Sequence, residues 1–334
     1  MMSERLLEVK DLCTSFFTYN GEVKAVNHVS YYLDEQEIIA VVGESGCGKS
    51  VTQMSVMQII QSPPGRIIGG EVLYKGKDLL KLTTEEMRSV RGAEIAMIFQ
   101  EPMTALNPVI TVGKQLTEVI RAHSSMNKKQ AWAKAIESLE AVGIPDPEAR
   151  MKNYPFEMSG GMRQRVCIAI AVACNSKIII ADEPTTALDV TTQAQVMELL
   201  QDAVDKYKKS VLVVTHNLGL VTRYAGRIYV MYAGQVVESG TTEALMTNPK
   251  HPYTVGLLKS VPSLEDERGK ALVPIDGAPP NLAALPETCP FLPRCKYAAE
   301  KCRSRKKPEL TLIDAETQHY TACYVELKEG LKDE

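Results

Sequence analysis

The chain has 334 residues, 45% of them hydrophobic, which is enough for one large domain with an appendage or for two medium domains with real cores. Acidic and basic side chains nearly balance at a formal net charge of −3, which excludes broad electrostatic binding to nucleic acid or anionic membrane. The longest apolar runs are too short to cross a bilayer and the first ten residues have no apolar signal core, so we expect a cytoplasmic protein with reduced thiols.

Residues 1–100 alternate short apolar runs with turn residues, a pattern that predicts strands. The run EIIAVVG at 37–43 predicts a buried strand that ends in a glycine-rich loop. Further along, GGEVLYKGK at 69–77 predicts a hairpin, and EIAMIF at 94–99 predicts another strand. The opening of the chain is therefore expected to be mostly β.

Residues 101–175 are expected to form a helical insert. The clearest helix begins with Asn127 as its N-cap and has Gln130 at the reciprocal position of a capping box. It ends before Gly143, which suits the C′ position. Its expected buried face carries Trp132, Ile136, Leu139 and Val142.

From residue 177 onward, strands and helices alternate, which predicts a parallel sheet covered on both faces. The predicted elements are the strand KIIIAD, a helix over TTQAQVMELLQDAV, the strand SVLVVTH, a helix through LGLVTRY and the hairpin RIYVMYAGQVVES. After about residue 250 the periodicity fades, and eight of the eighteen prolines fall between Pro262 and Pro308. This composition predicts a loop-rich tail.

The motif GESGCGKS at 43–50 has the phosphate-binding pattern G-x-x-x-x-G-K-[ST], placed after an apolar strand and before the helical stretch SVTQMSVMQII. Its glycines let backbone N–H groups turn around phosphates at a helix N-terminus, Lys49 adds a positive charge, and Ser50 offers a hydroxyl to Mg²⁺. The alternative is a glycine-rich turn that happens to carry Lys-Ser. We predict a nucleotide site formed by Gly43, Ser45, Gly46, Cys47, Gly48, Lys49, Ser50 and Val51.

An acidic pair in IIIADEP follows a predicted buried strand. Asp182 stands at the strand end, where a carboxylate is costly to bury unless a cation or hydrogen bonds compensate it, and Mg²⁺ on a nucleotide is the natural partner. Glu183 would then face the γ-phosphate and act as general base for the attacking water. The alternative is that the pair caps the following segment.

A second glycine motif, MSGGMRQR, occupies residues 158–165. Ser159, Gly160 and Gly161 are predicted to open a helix whose free N–H groups and positive dipole end bind phosphate. The motif resembles the LSGGQ signature of ATP-binding cassette (ABC) proteins, with Met162 in place of the glutamine. This resemblance implies a head-to-tail dimer that sandwiches two ATP molecules, in which the signature acts in trans on the other subunit's γ-phosphate, much as an arginine finger does.

The other parts of the ABC pattern follow in order along the chain. The resemblance implies that Gln100 in IFQEP is the Q-loop glutamine and that ALD at 187–189 lines the dimer seam. It implies that His216 in VVTHN contacts the γ-phosphate. The implied Mg²⁺ ligands are Ser50, Gln100 and Asp182.

An aromatic residue of the first strand is expected to stack on the adenine ring. Its spacing favours Phe16, and Phe17 and Tyr19 are the alternatives. Any of the three could instead belong to the core.

Four longer stretches, FQEPMTALNP, SGGMRQR, ADEPTTALDVTTQAQ and NPKHPYTVGLL, are similar to the ATPase subunits of oligopeptide and dipeptide importers, a group that includes nickel importers. The likeness extends through nearly the whole chain. It implies an α/β P-loop NTPase core of the ABC type at 1–250, with an antiparallel β subdomain and a helical signature subdomain at about 101–175. A C-terminal extension at 251–334 would carry a small four-cysteine module.

The same resemblance implies an ATPase that powers a separate membrane permease by ATP-driven dimer closure. The expected partners are a homologous second ATPase subunit or a second copy, two transmembrane permease subunits and, indirectly, an extracytoplasmic peptide-binding protein; no nucleic acid is expected. The expected location is cytoplasmic, peripheral on the inner face of the membrane. The alternatives are a nickel-importer ATPase, a soluble cassette ATPase outside transport, and a cassette that binds ATP without turnover.

Four cysteines near the end of the chain have the spacing C-x5-C-x6-C-x20-C, unlike the paired C-x2-C of zinc ribbons; they are Cys289, Cys295, Cys302 and Cys323. Four thiolates still make a complete ligand set for Zn²⁺ or an iron–sulfur cluster, and a metal would supply folding energy to a proline-dense tail. The residues alone leave a metal site and incidental cysteines both open. The extensions of peptide-importer ATPases carry a similar pattern, which implies a [4Fe-4S] cluster here, with zinc as the alternative.

Overall fold

The computed structural model describes residues 5–174, 176–260 and 274–327. Parts of the predicted C-terminal extension, 261–273 and 328–334, lie outside the described residues. The strands are β1 (Arg5–Thr18), β2 (Gly21–Asp34), β3 (Ile38–Val42), β4 (Gly65–Tyr74), β5 (Lys77–Asp78), β6 (Ile95–Ile98), β7 (Ile178–Asp182), β8 (Ser210–Thr215), β9 (Arg227–Tyr232), β10 (Gln235–Thr241), β11 (Thr311–Asp314) and β12 (His319–Thr321). The helices are α1 (Lys49–Val56), α2 (Thr84–Val90), α3 (Pro102–Ala105), α4 (Val112–Ala122), α5 (Lys128–Ala141), α6 (Pro147–Arg150), α7 (Gly160–Ala173), α8 (Val190–Asp205), α9 (Leu218–Val221), α10 (Thr242–Thr247), α11 (Pro252–Lys259) and α12 (Glu300–Ser304).

The chain divides into two compact units. The first unit contains the described residues of 1–34, 39–81 and 215–334. The second unit contains residues 35–38 and 82–214. The glycine-rich phosphate loop therefore belongs to the first unit, and the acidic pair and the signature motif belong to the second.

An antiparallel sheet in the order β2–β1–β4–β5 forms one part of the first unit. β1 is paired on both sides, with Leu7 opposite Leu33 of β2 and Tyr74 of β4. Leu7 and Val9 are buried because alternate residues of a strand point to the same face. The predicted hairpin at 69–77 is confirmed, since β4 and β5 pair through Tyr74 and Lys77.

The other strands of the first unit lie in the order β11–β12–β10–β9–β3. β9 and β10 form the predicted hairpin, and β3 runs parallel to β9 with Val42 opposite Val230. Every residue of β3 is buried, as its apolar run predicted. At the other edge β12 pairs with β10 through Thr321 and Glu238, so the C-terminal extension adds strands to this sheet.

A buried carboxylate ties the C-terminal strand to the rest of the first unit. Glu238 of β10 is fully buried. Its oxygens accept hydrogen bonds from His319 Nε2 at 2.7 Å and from the backbone N–H groups of Lys250 and His251 at 2.5 and 2.9 Å. Such charge-assisted hydrogen bonds offset the cost of burying the charge. They connect β12, β10 and the segment that leads into α11.

The second unit contains a parallel sheet in which β7 lies between β6 and β8. Ile178 of β7 lies opposite Ile95 of β6 and Ser210 of β8. All residues of β7 and β8 are buried, which is typical of a covered parallel sheet. The parallel arrangement that strand and helix alternation predicted is confirmed for these strands.

The predicted capping box of α5 is confirmed, but its predicted buried face was partly wrong. Asn127 Oδ1 accepts the Gln130 N–H at 3.0 Å, and Gln130 Oε1 accepts the Asn127 N–H at 3.0 Å. Trp132 and Ile136 are only half-buried. α5 packs against α4 and α7, and small alanines on the contact line let these helices approach closely. The buried positions are Ala131, Ala135, Ser138 and Leu139, with Val142 buried at the C-cap.

Two helices are shorter than the sequence suggests. α1 ends at Val56, and Gln58 beyond it has a φ of +50°, which a continuing helix cannot accommodate. α9 covers one turn, Leu218–Val221, of the predicted longer segment. Within the described ranges, no helix has the length and apolar character needed to cross a bilayer.

Burial of His251 makes the stability of the first unit depend on pH. The side chain is 1% exposed and caps α11, with Nδ1 accepting the Tyr253 N–H at 3.1 Å. Burial lowers the pKa of His251 from 6.5 to about 4, against an opposing pull from Glu238. The folded protein therefore keeps this imidazole neutral while the unfolded chain takes up a proton. Stability is lost as the pH falls from about 6.5 towards 4.

We expect His251 to account for a loss of about 2 kcal/mol in unfolding free energy between pH 7 and pH 5. His251→Asn keeps a side-chain acceptor for the cap of α11 and removes the titrating imidazole. The unfolding free energy of this variant should therefore fall by about 2 kcal/mol less than that of the parent between pH 7 and pH 5. Urea unfolding at both pH values measures the difference. The matched control is His28→Asn at an exposed histidine, which should behave as the parent does. An unchanged pH dependence in His251→Asn would contradict the assignment.

Candidate functional site

The phosphate-binding motif forms a loop between β3 and α1, as the sequence predicted. Lys49 begins α1 and is buried, with 4% of its surface exposed. Its Nζ donates to the backbone carbonyl oxygens of Gly43 at 2.8 Å and of Glu44 at 3.0 Å. The loop and its lysine are thus one hydrogen-bonded unit.

Two glycines of the loop are required because neighbouring backbone approaches closely. Gly48 has a φ of +99°, and a Cβ there would lie 2.1 Å from the carbonyl oxygen of Ala25 in β2. A Cβ at Gly43 would lie 2.2 Å from the carbonyl oxygen of Met231 in β9. The loop can therefore lie against these two strands only with glycine at both positions.

The remaining residues of the loop differ in exposure. Ser45 and Gly46 are exposed at its tip, whereas Ser50 and Val51 are half-buried at the start of α1. Cys47 is buried, and this burial raises the pKa of its thiol, partly offset by the neighbouring lysine. The tip of the loop is thus accessible to solvent, and α1 begins directly after the loop.

The acidic pair ends the central strand of the second unit. Asp182 is the last residue of β7, and both Asp182 and Glu183 are buried. The Glu183 N–H donates to the carbonyl of Val214 in β8 at 2.8 Å. Glu183 Oε2 accepts hydrogen bonds from Gln100 Nε2 at 3.1 Å and from Thr186 Oγ1 at 2.9 Å. The structure thus brings together two predicted site residues and adds Thr186, which the sequence reasoning missed.

Glu183 also has an unusual backbone conformation. Its φ is +45°, in the left-handed region that costs a residue with a side chain on the order of 1–2 kcal/mol. Strain of this kind persists only where surrounding contacts hold it, and it is concentrated at functional sites. The bonds to Val214, Gln100 and Thr186 are such contacts.

The signature motif opens a helix, as predicted. Ser159 is the N-cap of α7, and its Oγ accepts the Met162 N–H at 3.3 Å. Ser159 and Gly160 are exposed, and a Cβ at Gly160 would meet nothing within 4 Å. The N-terminus of a 14-residue helix therefore faces open space. Gly161 is half-buried, with Thr192 as its neighbour.

Two other predicted residues lie at the ends of elements. Asp189, from the ALD stretch, is the N-cap of α8 and accepts the Thr192 N–H at 3.0 Å. The hydrogen bonds from Thr192 hold the pKa of the Asp189 carboxyl below its usual range. His216 directly follows β8 and is exposed, and Asn217 after it caps α9.

The aromatic candidates for adenine stacking lie at the end of β1. Phe16 is half-buried and pairs across the sheet with Val23 and Gly65. Phe17 and Tyr19 are exposed. The Phe16 ring packs against Gly65, where a Cβ would lie 3.0 Å from the ring edge.

The four C-terminal cysteines, Cys289, Cys295, Cys302 and Cys323, line a single cavity together with His251 and Phe291. Burial raises the pKa of three of these thiols, and that of Cys323 reaches about 12. The neighbouring thiols add to the effect. As arranged here, no group of three or more His, Cys, Asp or Glu side chains in the described part of the chain could hold a metal ion. The thiols share a cavity without forming a ready ligand set.

Sequence reasoning also missed a polar contact of the phosphate loop. Glu44 forms a bidentate ion pair with Arg294, which lies 250 residues away in the segment of the four C-terminal cysteines, residues 289–323, hereafter the cysteine segment. Its N–H donates to the Tyr253 hydroxyl at 2.7 Å. The only signal in the sequence was an acidic residue inside an anion-binding loop, where it needs a partner.

The fold and the order of these motifs define an ATP-binding cassette ATPase. Residues 26–186 match the ABC transporter family, and residues 237–302 match the C-terminal region of the oligopeptide/dipeptide transporter family. The chain is 50% identical to the oligopeptide transport ATP-binding protein OppD of Bacillus subtilis, over 96% of this chain and 89% of that protein. It is 49% identical to the dipeptide transport ATP-binding protein DppD of the same organism, over 97% and 95%. The chain belongs to the ATP-binding proteins of this ABC transporter family.

Solved structures give the same result. The dimeric structure of MJ0796, a bacterial ABC transporter cassette, matches with a TM-score of 0.64 and 26% identity, over 71% of this chain and 98% of that one. The post-hydrolysis state of the same cassette, bound to ADP and Pi, matches equally well. The expected cassette fold is therefore confirmed.

We expect Gly48→Ala to destabilise the protein more than Gly21→Ala. Both substitutions place a Cβ at positive φ, which costs about 1–2 kcal/mol. Only the Gly48 variant also presses its Cβ against a backbone oxygen, whereas Gly21 has nothing within 4 Å. Thermal unfolding measures both losses. ATP affinity should fall in the Gly48 variant alone, and equal losses in the two variants would contradict the steric argument.

Proposed function

We propose that the loop at 43–51 binds the phosphates of ATP. Its backbone N–H groups at the start of α1 would face the anion, and Lys49 would move from the loop carbonyls to the phosphates. The main support is that the cassette motifs lie at the strand and helix ends where they are expected. The chain is also similar over nearly its whole length to peptide transport ATP-binding proteins.

Mg²⁺ would be held by the side chains of Ser50, Gln100 and Asp182. Hydroxyl, amide and carboxylate oxygens are the ligands that this ion prefers. When bound, the ion neutralises charge on the phosphates. The position of Asp182, the last residue of β7 and the neighbour of Glu183, supports this role.

We assign Glu183 as the general base and His216 as a contact of the γ-phosphate. A base must be aimed at the water that it activates. The hydrogen bonds from Gln100 and Thr186 hold the Glu183 carboxylate in one orientation, which supports this role. The exposure of His216 at the end of β8 leaves its ring accessible to a ligand.

Phe16 would stack on adenine, and Ser159, Gly160 and Gly161 would act in trans. In the proposed head-to-tail dimer, each signature helix presents its N-terminus to the ATP bound by the other subunit. The exposure of Ser159 and Gly160 supports this assignment. The partner is a second copy or a homologous ATPase subunit.

The transported substrate is proposed to be a peptide. Support comes from the matched peptide-transporter region at 237–302 and from relatives named for oligopeptide and dipeptide transport. The chain would work in the cytoplasm on the inner face of the membrane, with two permease subunits and, through them, an extracytoplasmic peptide-binding protein. Nickel import and a non-transport role are the alternatives.

An apolar surface of the second unit is suited to a permease partner. Exposed large side chains there include Met103, Val109 and Phe156. Tyr154 and Phe156 stack at 5.5 Å between ring centroids, although both rings are accessible to solvent. Exposed apolar side chains of this size are typical of protein interfaces, and these are proposed to contribute to the contact with a permease subunit.

We propose that the four C-terminal thiols hold a [4Fe-4S] cluster, with zinc as the alternative. Four cysteine sulfurs around one cavity have the donor chemistry of such a centre. The thiols would have to lose their protons and approach one another on binding, because their present arrangement is not a ligand set. The centre would stabilise a segment with little apolar core.

Replacing the proposed base should abolish turnover but keep ATP binding. We expect Glu183→Gln to lower the ATPase rate by about 10²–10⁴, since the amide cannot accept the water's proton. The matched control is Glu198→Gln at an exposed glutamate of α8, which should retain the parental rate. Steady-state ATPase and size-exclusion chromatography with ATP are the measurements. Equal rates in parent and Glu183→Gln would refute the assignment.

Transport is tested by restoring uptake in cells that lack this subunit. The parent chain should restore uptake of labelled di- and oligopeptides, and Glu183→Gln should not. Uptake of Ni²⁺ instead of peptides would favour the nickel alternative. If the parent chain restores uptake of neither peptides nor Ni²⁺, the importer proposal is contradicted.

Anaerobically purified protein should contain iron and acid-labile sulfide in equal amounts, four of each per chain. Cys302→Ser should lose both, because it removes the most buried of the four ligands. Cys174→Ser, at a buried cysteine of the second unit, is the control and should keep them. Stoichiometric zinc without sulfide would refute the cluster and favour the alternative.

A further inference from the structure

The second residue of the phosphate loop is bound by a residue of the cysteine segment. Arg294, one position before Cys295, donates from Nη1 to Glu44 Oε2 at 2.6 Å and from Nη2 to Glu44 Oε1 at 2.9 Å. The arginine side chain is 5% exposed and that of the glutamate 25% exposed. A two-point contact of this kind fixes orientation as well as distance.

Arg294 is itself held in place by other contacts. Its Nε donates to the carbonyl oxygen of Asp276 at 2.9 Å, and its Nη2 also donates to that of Ile275 at 3.1 Å. Nη1 lies 3.4 Å from the Tyr232 hydroxyl. The guanidinium therefore has little freedom, and it transmits the position of the C-terminal segment to Glu44.

A second path reaches the same loop residue through an aromatic cluster of Tyr232, Tyr253 and Phe291. The Tyr253 hydroxyl accepts the Glu44 N–H at 2.7 Å. The Tyr253 ring lies 4.6 Å from Tyr232 and 5.4 Å from Phe291, measured between centroids. Phe291 lies two residues after Cys289 and lines the cysteine cavity. Side chain and backbone of Glu44 are thus both held by the cysteine segment or its neighbours.

Glu44 in turn controls the part of the loop that would meet phosphate. Its carbonyl oxygen accepts the Lys49 ammonium at 3.0 Å and the Cys47 N–H at 3.3 Å. A shift of Glu44 would therefore displace the lysine and the turn at Cys47 together.

We propose that Arg294 is a positioning residue of the nucleotide site, and that the cysteine segment is in this way a structural part of the phosphate loop. The inference rests on the proposed binding of ATP phosphates by residues 43–51. Any rearrangement of the cysteine cavity that moves Arg294 changes the affinity for ATP, although no cysteine of the segment touches the nucleotide. The ion pair between Arg294 and Glu44 couples the position of the cysteine segment to that of the phosphate loop.

The test is a double-mutant cycle on full-length protein, measured as the KM and kcat of ATP hydrolysis and as the Kd of Mg-ATP in a Glu183→Gln background. Arg294→Ala and Glu44→Gln should each weaken ATP binding about tenfold, because each removes a charge-assisted contact. The double variant should be no weaker than either single variant. KM should rise while kcat stays within about twofold.

Two further variants separate this role from general damage to the tail. Arg294→Lys keeps the charge but loses the two-point geometry, so it should restore affinity only in part. Arg303 is an exposed arginine next to Cys302, just as Arg294 is next to Cys295. The Arg303→Ala variant is therefore the matched control and should bind ATP with parental affinity. If Arg294→Ala fails to fold, Glu44→Gln still tests the pair, because it leaves the arginine and its carbonyl contacts in place.

The failures of this inference and of the proposed function are distinguishable. Lys49→Ala should lose ATP binding if residues 43–51 hold the phosphates, and parental affinity in that variant would refute the proposed function. If Lys49→Ala loses binding while Arg294→Ala and Glu44→Gln keep parental affinity, the positioning role is overturned. Additive losses in the double variant would overturn it as well.

Discussion

The phosphate loop depends on internal partners for the groups that it does not offer to a ligand. A loop that presents its N–H donors to an anion must satisfy its carbonyls and side chains elsewhere. Lys49 donates hydrogen bonds to the carbonyl oxygens of Gly43 and Glu44, and Arg294 donates to the Glu44 carboxylate. The glycines allow the backbone of β2 and β9 to approach. The site at one end of the chain is thus completed by residues from the other end.

The second unit holds an acidic pair under different constraints. Asp182 and Glu183 are buried at the end of β7, and Glu183 adopts a backbone conformation that few residues with side chains tolerate. Hydrogen bonds from Gln100 and Thr186 hold its carboxylate. The arrangement stores strain at the residue proposed as the general base. The parallel strands β6, β7 and β8 supply the rigid support.

Features with local causes were predicted well from the sequence. The capping box of Asn127 and Gln130 and the loop before α1 each depend on a few consecutive residues, and the structure contains both. The face of α5 was misjudged because hydrophobicity alone does not say which side chains let a neighbouring helix approach. Ala131 and Ala135 are buried, and the half-buried Trp132 ring lies against Gly113 of α4. Thr186 was missed because a threonine gives no signal of its own.

The sequence by itself determined the class of protein, the alternation of strands and helices from residue 177 to the β9–β10 hairpin and the loop between β3 and α1, since spacing and residue type encode short-range hydrogen bonding and periodicity. Only the tertiary structure decided which distant groups meet. It paired Glu44 with Arg294, placed β12 beside β10 and gathered four widely spaced cysteines around one cavity. Such pairings follow from how buried surfaces pack, and no local pattern records them.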